Sequence, residues 1–88
     1  MSADRELEAE SARVEAMRLQ LKELCIRPNA RGEIAEKQAA LYLGCALRTM
    51  YNMRQRGDGP RYVHLFGRYW YPIDGLAEYV AIRFTDAA

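Results

Sequence analysis

Glycine and proline divide this chain of 88 residues into short segments, because proline interrupts a helix and glycine readily ends one. The first of these residues is Pro28, so residues 3–26 form an unbroken run of strong helix formers. We predict one helix of about 24 residues there. The later glycines and prolines separate segments whose patterns predict a helix over residues 33–43, a helix over 46–56, a hairpin with strands at 61–66 and 69–71, and a helix over 73–84.

This order of elements predicts a mainly α fold with a small β-hairpin wing. Two helices that meet at Gly44 and are followed by a hairpin form the arrangement of a winged helix-turn-helix. We assign residues 29–88 to that domain and residues 1–28 to an N-terminal helical arm. No apolar stretch approaches the roughly 18 residues that cross a bilayer, and the acidic N-terminus is unlike a signal peptide. We therefore expect a cytoplasmic protein without a membrane partner.

The arm carries an apolar stripe at the spacing of a coiled coil. Its members fall at the a and d positions of successive heptads, and they are Leu7, Val14, Met17, Leu21 and Leu24. Such a stripe usually packs against a copy of the same helix, so we predict that these residues form the interface of a homodimer. So short and imperfect a repeat is also compatible with packing on the chain's own domain.

A second apolar series lies on the opposite side of the arm. It recurs at every seventh residue and consists of Ala12, Leu19 and Ile26. A helix that is apolar on two sides needs two neighbours. We therefore expect Leu19 and Ile26 to be enclosed between the partner helix and the winged domain.

The charge of the chain is balanced overall but unevenly distributed. Thirteen basic and twelve acidic residues give a net charge of +1, while residues 1–28 hold six acidic and five basic residues. Residues 44–71 instead contain five arginines against Asp58 alone, together with five tyrosine or tryptophan residues. Arginine donates a planar fork of hydrogen bonds that suits phosphate oxygens and guanine edges. This segment predicts a nucleic-acid surface, with a solvated basic face beside an aromatic core as the alternative.

The predicted helix over residues 46–56 has the side chains that a recognition helix needs. If its two methionines pack inward, its outward residues are Arg48, Thr49, Asn52 and Gln55. In the major groove an arginine suits guanine, an amide side chain suits adenine, and a threonine methyl group contacts thymine. The alternative for this set is a solvated helix face.

Three further arginines are predicted to contact the DNA backbone or the minor groove. Arg54 and Arg56, near the end of the same helix, are placed for phosphates. Arg68 follows Gly67 at the predicted tip of the wing, where glycine permits a tight turn and the arginine projects towards the minor groove. The alternative for Arg68 is an exposed loop arginine without a ligand.

Residues that support catalysis or hold a metal ion are few. Cys25 and Cys45, with His64 as the one histidine, are insufficient for a tetrahedral zinc site and do not indicate a disulfide framework. No cysteine, serine or carboxylate stands at a spacing that pairs with His64. The sequence also lacks a phosphate-binding glycine loop. We therefore expect a protein that is not an enzyme and needs no cofactor or metal ion.

Several short motifs between residues 34 and 80 occur in an order typical of one family. They are Ala39-Ala40, Leu43-Gly44, Arg48-Thr49-Met50-Tyr51, Gly57-Asp58-Gly59-Pro60, Gly67-Arg68, Leu76 and Tyr79-Val80. Together they resemble the small MerR-like winged helix-turn-helix domains of the excisionase and AlpA family of phages and mobile elements. The resemblance implies a recognition helix in the major groove, a wing arginine at the backbone or minor groove, and contact roles for Arg48, Thr49, Asn52 and Arg68.

The residues and the resemblance together predict a function. We expect a sequence-specific DNA-binding protein of a bacterial cell or phage-infected host, acting as an excisionase-like recombination directionality factor or a small transcriptional regulator. Its expected partners are double-stranded DNA, a second copy of the chain and, by resemblance, a recombinase or other protein. The alternatives are a protein-interaction or assembly module and the DNA-recognition subunit of a phage packaging machine.

Overall fold

The computed structural model describes residues 2–87, with side chains from residue 8 to residue 83. Within that part of the chain there are four helices and one antiparallel sheet of three strands, so the predicted mainly helical fold with a small β element is confirmed. None of these helices is both long and apolar enough to cross a membrane. In chain order the elements are α1 (Ser2–Glu23), β1 (Glu33–Ala35), α2 (Glu36–Leu43), α3 (Leu47–Arg56), β2 (Val63–Leu65), β3 (Arg68–Pro72) and α4 (Ile73–Ala87).

The core lies where α1, α4, the α2–α3 pair and the inner face of the sheet meet. Its largest fully buried side chains are Leu21, Ile34, Met50, Tyr71, Ile73 and Leu76. These residues come from α1, β1, α3, β3 and α4, and they belong to one apolar cluster. The predicted inward orientation of both methionines of α3 is confirmed, because Met50 and Met53 are members of that cluster.

Residues 33–35 differ from the prediction, because they form β1 rather than the first turn of a helix. This strand pairs antiparallel with β3, with Ile34 opposite Tyr71, and the strands of the sheet lie in the order β1-β3-β2. Ile34 is fully buried, so pairing and burial outweigh the local preference for helix. The helix α2 follows directly, and the Ala35 N–H donates to the Gln38 side chain at 3.3 Å, which satisfies a donor at the helix start.

A glycine turn joins α2 to α3, as the sequence predicts. Gly44 adopts a left-handed conformation with φ of 76°, and its N–H donates to the Ala40 carbonyl at 2.9 Å. A residue with a side chain would be strained at this φ. The helix α3 begins after Ala46, which has no side-chain acceptor for the first-turn amides, and ends at Gly57. Glycines in the left-handed conformation thus end both α2 and α3.

The predicted hairpin is present, but its turn is displaced by one residue. Leu65 pairs with Arg68, so the loop consists of Phe66 and Gly67 rather than Gly67 and Arg68. Phe66 and Gly67 have φ of 52° and 73°, the geometry of a type I′ turn whose twist matches that of the flanking strands. Arg68 is therefore the first residue of β3 instead of the tip of the loop.

The predicted arm is shorter than expected and folds back on its own domain. The helix α1 ends at Glu23, and Cys25 takes a positive φ of 61° that turns the chain. The Ile26 N–H then donates to the Leu21 carbonyl at 2.9 Å, and Ile26 is buried. No two elements of the described chain pack more extensively than α1 and α4. The later turns of the arm therefore form a layer of the core.

This packing corrects the predicted dimer interface. Met17 and Leu21 are 3% and 1% exposed within the single chain, so they are unavailable to a second copy. Val14 packs partly buried against the same core, and Leu24 is exposed. The side chain of Leu7 lies outside the described residues. For Met17 and Leu21 the alternative prediction, packing on the chain's own domain, is therefore the correct one.

The expectation for the opposite side of the arm holds for one of its two residues. Ile26 is buried, whereas Leu19 is 63% exposed. Because α1 ends before Ile26, the two residues do not lie on one helical face. The prediction that Leu19 is enclosed is therefore wrong for the single chain.

Candidate nucleic-acid interface

The outward face of α3 carries the polar residues that the sequence predicts. The exposed members of the predicted set are Arg48, Thr49, Asn52 and Gln55. Among the described residues, none of the three uncharged side chains makes a hydrogen bond within the chain. Their donors and acceptors are therefore available to a ligand.

The five arginines of residues 44–71 fall into two groups. Three of them form ion pairs, namely Arg54 with Glu36 at 2.6 Å, Arg56 with Asp58 at 3.0 Å, and Arg61 with Asp74 at 3.1 Å. The other two, Arg48 and Arg68, are exposed and have no acidic partner within the described part of the chain. Of these five arginines, the two without an acidic partner therefore lie at the start of α3 and at the start of β3.

Arg54 has a different role from the one predicted. Its guanidinium donates to both carboxylate oxygens of Glu36, at 2.6 and 3.1 Å, and its side chain is only 10% exposed. The Tyr71 hydroxyl donates to the same carboxylate at 2.7 Å. The prediction that Arg54 contacts phosphate is therefore wrong, because this arginine joins α3 to α2 and β3. We call Glu36, Arg54 and Tyr71 the Glu36 clamp.

The clamp changes the pKa values of two of its members. The hydrogen bond to Glu36 raises the pKa of Arg54, against the opposing effect of burial. Burial raises the pKa of Tyr71, and its hydrogen bond to Glu36 adds to that rise. Both groups therefore keep their protons throughout the neutral range, so the hydrogen bonds that they donate persist there.

A series of stacked groups connects α3 to the hairpin. The Arg54 guanidinium lies 3.6 Å from the centroid of the Tyr69 ring and 5.4 Å from that of Tyr51. Arg48 lies 5.2 Å from the same Tyr51 ring. On the hairpin, the His64 ring stacks on Tyr69 with centroids 4.3 Å apart. Since cations are attracted to aromatic faces, these contacts hold the exposed side of α3 and the hairpin in a fixed relation.

Arg56 and Phe66 lie at the edge of this surface. Arg56 is predicted to contact phosphate, and its pair with Asp58 is exposed at both side chains. Because exposed ion pairs contribute little, Arg56 can exchange Asp58 for another anion. Phe66, which the sequence does not predict as a contact, is the first residue of the hairpin loop, two residues before Arg68, and is 99% exposed.

Sequence reasoning does not identify Glu36, Tyr51 or Phe66 as members of the site. Glu36 binds Arg54 from another helix, and no local spacing signals that pair. The signal for Tyr51 is the mixture of aromatic residues and arginines in its segment. The signal for Phe66 is its place before a glycine in a predicted hairpin, where asparagine or aspartate is usual.

The two cysteines and the histidine are the residues of this chain that most often hold metal ions or react. Within residues 2–87 no three histidine, cysteine, aspartate or glutamate side chains come together to hold a metal ion. Both cysteines are free thiols, and Cys25 is exposed. Burial raises the pKa of the Cys45 thiol, which lowers the fraction of reactive thiolate.

Comparisons with protein-family models, with curated proteins and with solved structures find no match to this chain. The resemblance to the excisionase and AlpA family stays a prediction. The functional interpretation rests on the free arginines, the polar face of α3 and the fixed relation of α3 to the hairpin.

Proposed function

We propose that this protein is a sequence-specific DNA-binding protein in which α2, α3 and the β2–β3 hairpin act as a winged helix-turn-helix. The observation that carries the proposal is the selective freedom of Arg48 and Arg68, since the other three arginines of their segment are in ion pairs. An exposed guanidinium without an acidic partner is available to phosphate or guanine. In line with the family resemblance, the protein acts as an excisionase-like recombination directionality factor or a small transcriptional regulator of a phage or mobile element.

The helix α3 is the proposed recognition helix. Its first turn carries Arg48 and Thr49, and Asn52 follows one turn later. Residues in the N-terminal part of a recognition helix contact base edges in the major groove. We assign Arg48 to guanine, Asn52 or Gln55 to adenine, and the Thr49 methyl group to thymine. Arg56, at the far end of the helix, is assigned to a phosphate.

The β2–β3 hairpin is the proposed wing. Arg68 lies exposed beside its loop, and the contact between Arg54 and Tyr69 holds the hairpin against α3. Because these elements are already fixed in the free protein, DNA binding does not have to order them, which lowers its entropic cost. We assign Arg68 to the minor groove or the adjacent backbone.

Two substitutions test the different roles of α3 and the wing. A duplex selected by the wild-type protein from a random-sequence pool serves as the specific site, and an unrelated duplex serves as the non-specific one. Arg48→Ala should weaken specific binding by about 1 to 3 kcal/mol and relax specificity at one base pair. Arg68→Ala should weaken binding to both duplexes similarly and reduce the slope of log affinity against log salt by about 1.

Arg13→Ala is a matched control, because it removes the same charge from an exposed position on α1. It should change neither the affinity for the two duplexes nor the salt slope. If Arg48→Ala and Arg68→Ala lose the same affinity, and lose it equally for both duplexes, the assignment of base recognition to α3 is contradicted. Absence of binding by the wild-type protein to any duplex at low salt would refute the DNA-binding proposal itself.

A protein-interaction or assembly module is the second candidate, and three exposed leucines favour it. Leu19, Leu24 and Leu41 are 63%, 44% and 60% exposed, and a contiguous patch of such side chains would mark a surface that binds other proteins. A homodimer would use these leucines, since part of the predicted stripe is buried. The DNA-recognition subunit of a phage packaging machine would use the leucines to bind other subunits and the α3 face to bind DNA. Association through leucines should hardly respond to salt, whereas DNA binding should weaken steeply.

A further inference from the structure

The residue at the tip of the hairpin is a phenylalanine that neither the core nor the turn requires. Phe66 is 99% exposed, so its ring buries no surface in the core. Its φ of 52° and the φ of 73° at Gly67 are both left-handed, as in a type I′ turn. Asparagine and aspartate tolerate that conformation, whereas a bulky aromatic residue is strained there. The role of the Phe66 ring is therefore to be sought in contact with another molecule.

The surroundings of the tip indicate the chemistry of its ligand. Arg68, with its free guanidinium, follows the loop directly. The next residue, Tyr69, lies under Arg54 of α3 at 3.6 Å, so the hairpin is anchored within three residues of Phe66. The exposed ring thus belongs to a fixed hairpin, two residues before an arginine without an acidic partner. An exposed aromatic ring and a free guanidinium together suit duplex DNA, which has anionic phosphates outside and stacked apolar bases inside. They suit an apolar pocket of a protein less well, because such a pocket offers no partner for the guanidinium.

We infer that Phe66 is a wedge that inserts between two base pairs from the minor groove and kinks the duplex, while Arg68 contacts the groove or the phosphates beside it. This inference rests on the proposed DNA-binding function. Apolar side chains that enter a base step from the minor groove partly unstack it and bend the duplex by about 20 to 90°. Flexible pyrimidine–purine steps are the easiest to open, so such a step is expected where the wing lies.

The test compares DNA bending and DNA affinity for the full chain and two variants of Phe66. The probe is a duplex selected by the wild-type protein from a random-sequence pool and labelled with donor and acceptor dyes at its two ends. Bending raises the energy transfer between the dyes, and fluorescence anisotropy measures the affinity. Phe66→Asn removes the ring but suits the turn, so its melting temperature should equal or exceed that of the wild type. Phe66→Leu keeps an apolar wedge.

We expect the wild type and Phe66→Leu to raise the energy transfer. Phe66→Asn should bind about tenfold more weakly and lose most of the change in energy transfer. If Phe66→Asn bends the probe as strongly as the wild type, the wedge is wrong and DNA binding stands. If the wild type binds no duplex at low salt, the DNA-binding proposal and the wedge both fail. If Phe66→Asn abolishes self-association seen by light scattering and leaves bending unchanged, the ring contacts a protein instead.

Discussion

Replacing Glu36 with alanine should destabilise the fold strongly, because it leaves the Arg54 guanidinium without its anion. The side chains of Arg54 and Glu36 are 10% and 15% exposed, and two hydrogen bonds of 2.6 and 3.1 Å join them. Removing one partner of a buried ion pair costs about 3 to 5 kcal/mol. In a domain of this size such a loss lowers the melting temperature by at least about 12 °C. Urea and thermal unfolding followed by circular dichroism measure both quantities.

Two further variants separate this explanation from a general effect of substitution. Asp58→Ala breaks the exposed pair with Arg56 and should cost less than about 1 kcal/mol. The triple variant Glu36→Leu, Arg54→Met, Tyr71→Phe replaces the ion pair and the hydroxyl that donates to it with apolar groups, and it should recover most of the lost stability. A Glu36→Ala variant as stable as Asp58→Ala, or a triple variant as unstable as Glu36→Ala, would show that the unpaired Arg54 guanidinium is not the cause of the loss.

The other two predictions concern a buried carboxylate and the arm. The hydrogen bond from Arg31 lowers the pKa of Glu33 below its usual 4.5, so Glu33 stabilises the fold above that pH and this contribution is lost as the pH falls through the lowered value. As the pH is lowered from neutral to ~3, the urea concentration at the midpoint of unfolding should therefore fall less steeply for Glu33→Gln than for the wild type. Leu21→Ala should cost about 2 to 5 kcal/mol in unfolding free energy, whereas Leu19→Ala should change it by less than about 0.5 kcal/mol. Equal losses for the two leucines would contradict the packing of α1 on α4.

The helices and the hairpin are predictable because their signals are local. Glycine turns bound α3, and the spacing of Met50 and Met53 marks its inner face. The strand β1 is not predictable in this way, because three residues are too few to show a period. It exists through its pairing with β3, where Ile34 lies opposite Tyr71, a residue far from it in the sequence.

The composition of the candidate site is predictable, but the partners of its side chains are not. Helical spacing predicts which residues of α3 face outward. It does not predict the role of Arg54, because the carboxylate of Glu36 reaches it only through tertiary packing. In the arm, too, local spacing predicts burial but not the partner. The heptad spacing of Met17 and Leu21 indicates a buried stripe and does not indicate which surface covers it.

The packing of α1 on α4 joins the earliest described helix of the chain to the latest. During synthesis α1 leaves the ribosome before the other described elements, and the core residues of α4, such as Leu76 and Ala77, are made after all of them. Met17 and Leu21 therefore stay uncovered on the nascent chain until α4 emerges. The contact between α1 and α4 closes the long chain segment that separates them. The chain loses conformational entropy on closing that segment before the contact stabilises the fold, so the contact is also expected to form late. The chain accordingly completes its fold after α4 is released, rather than element by element as it is made.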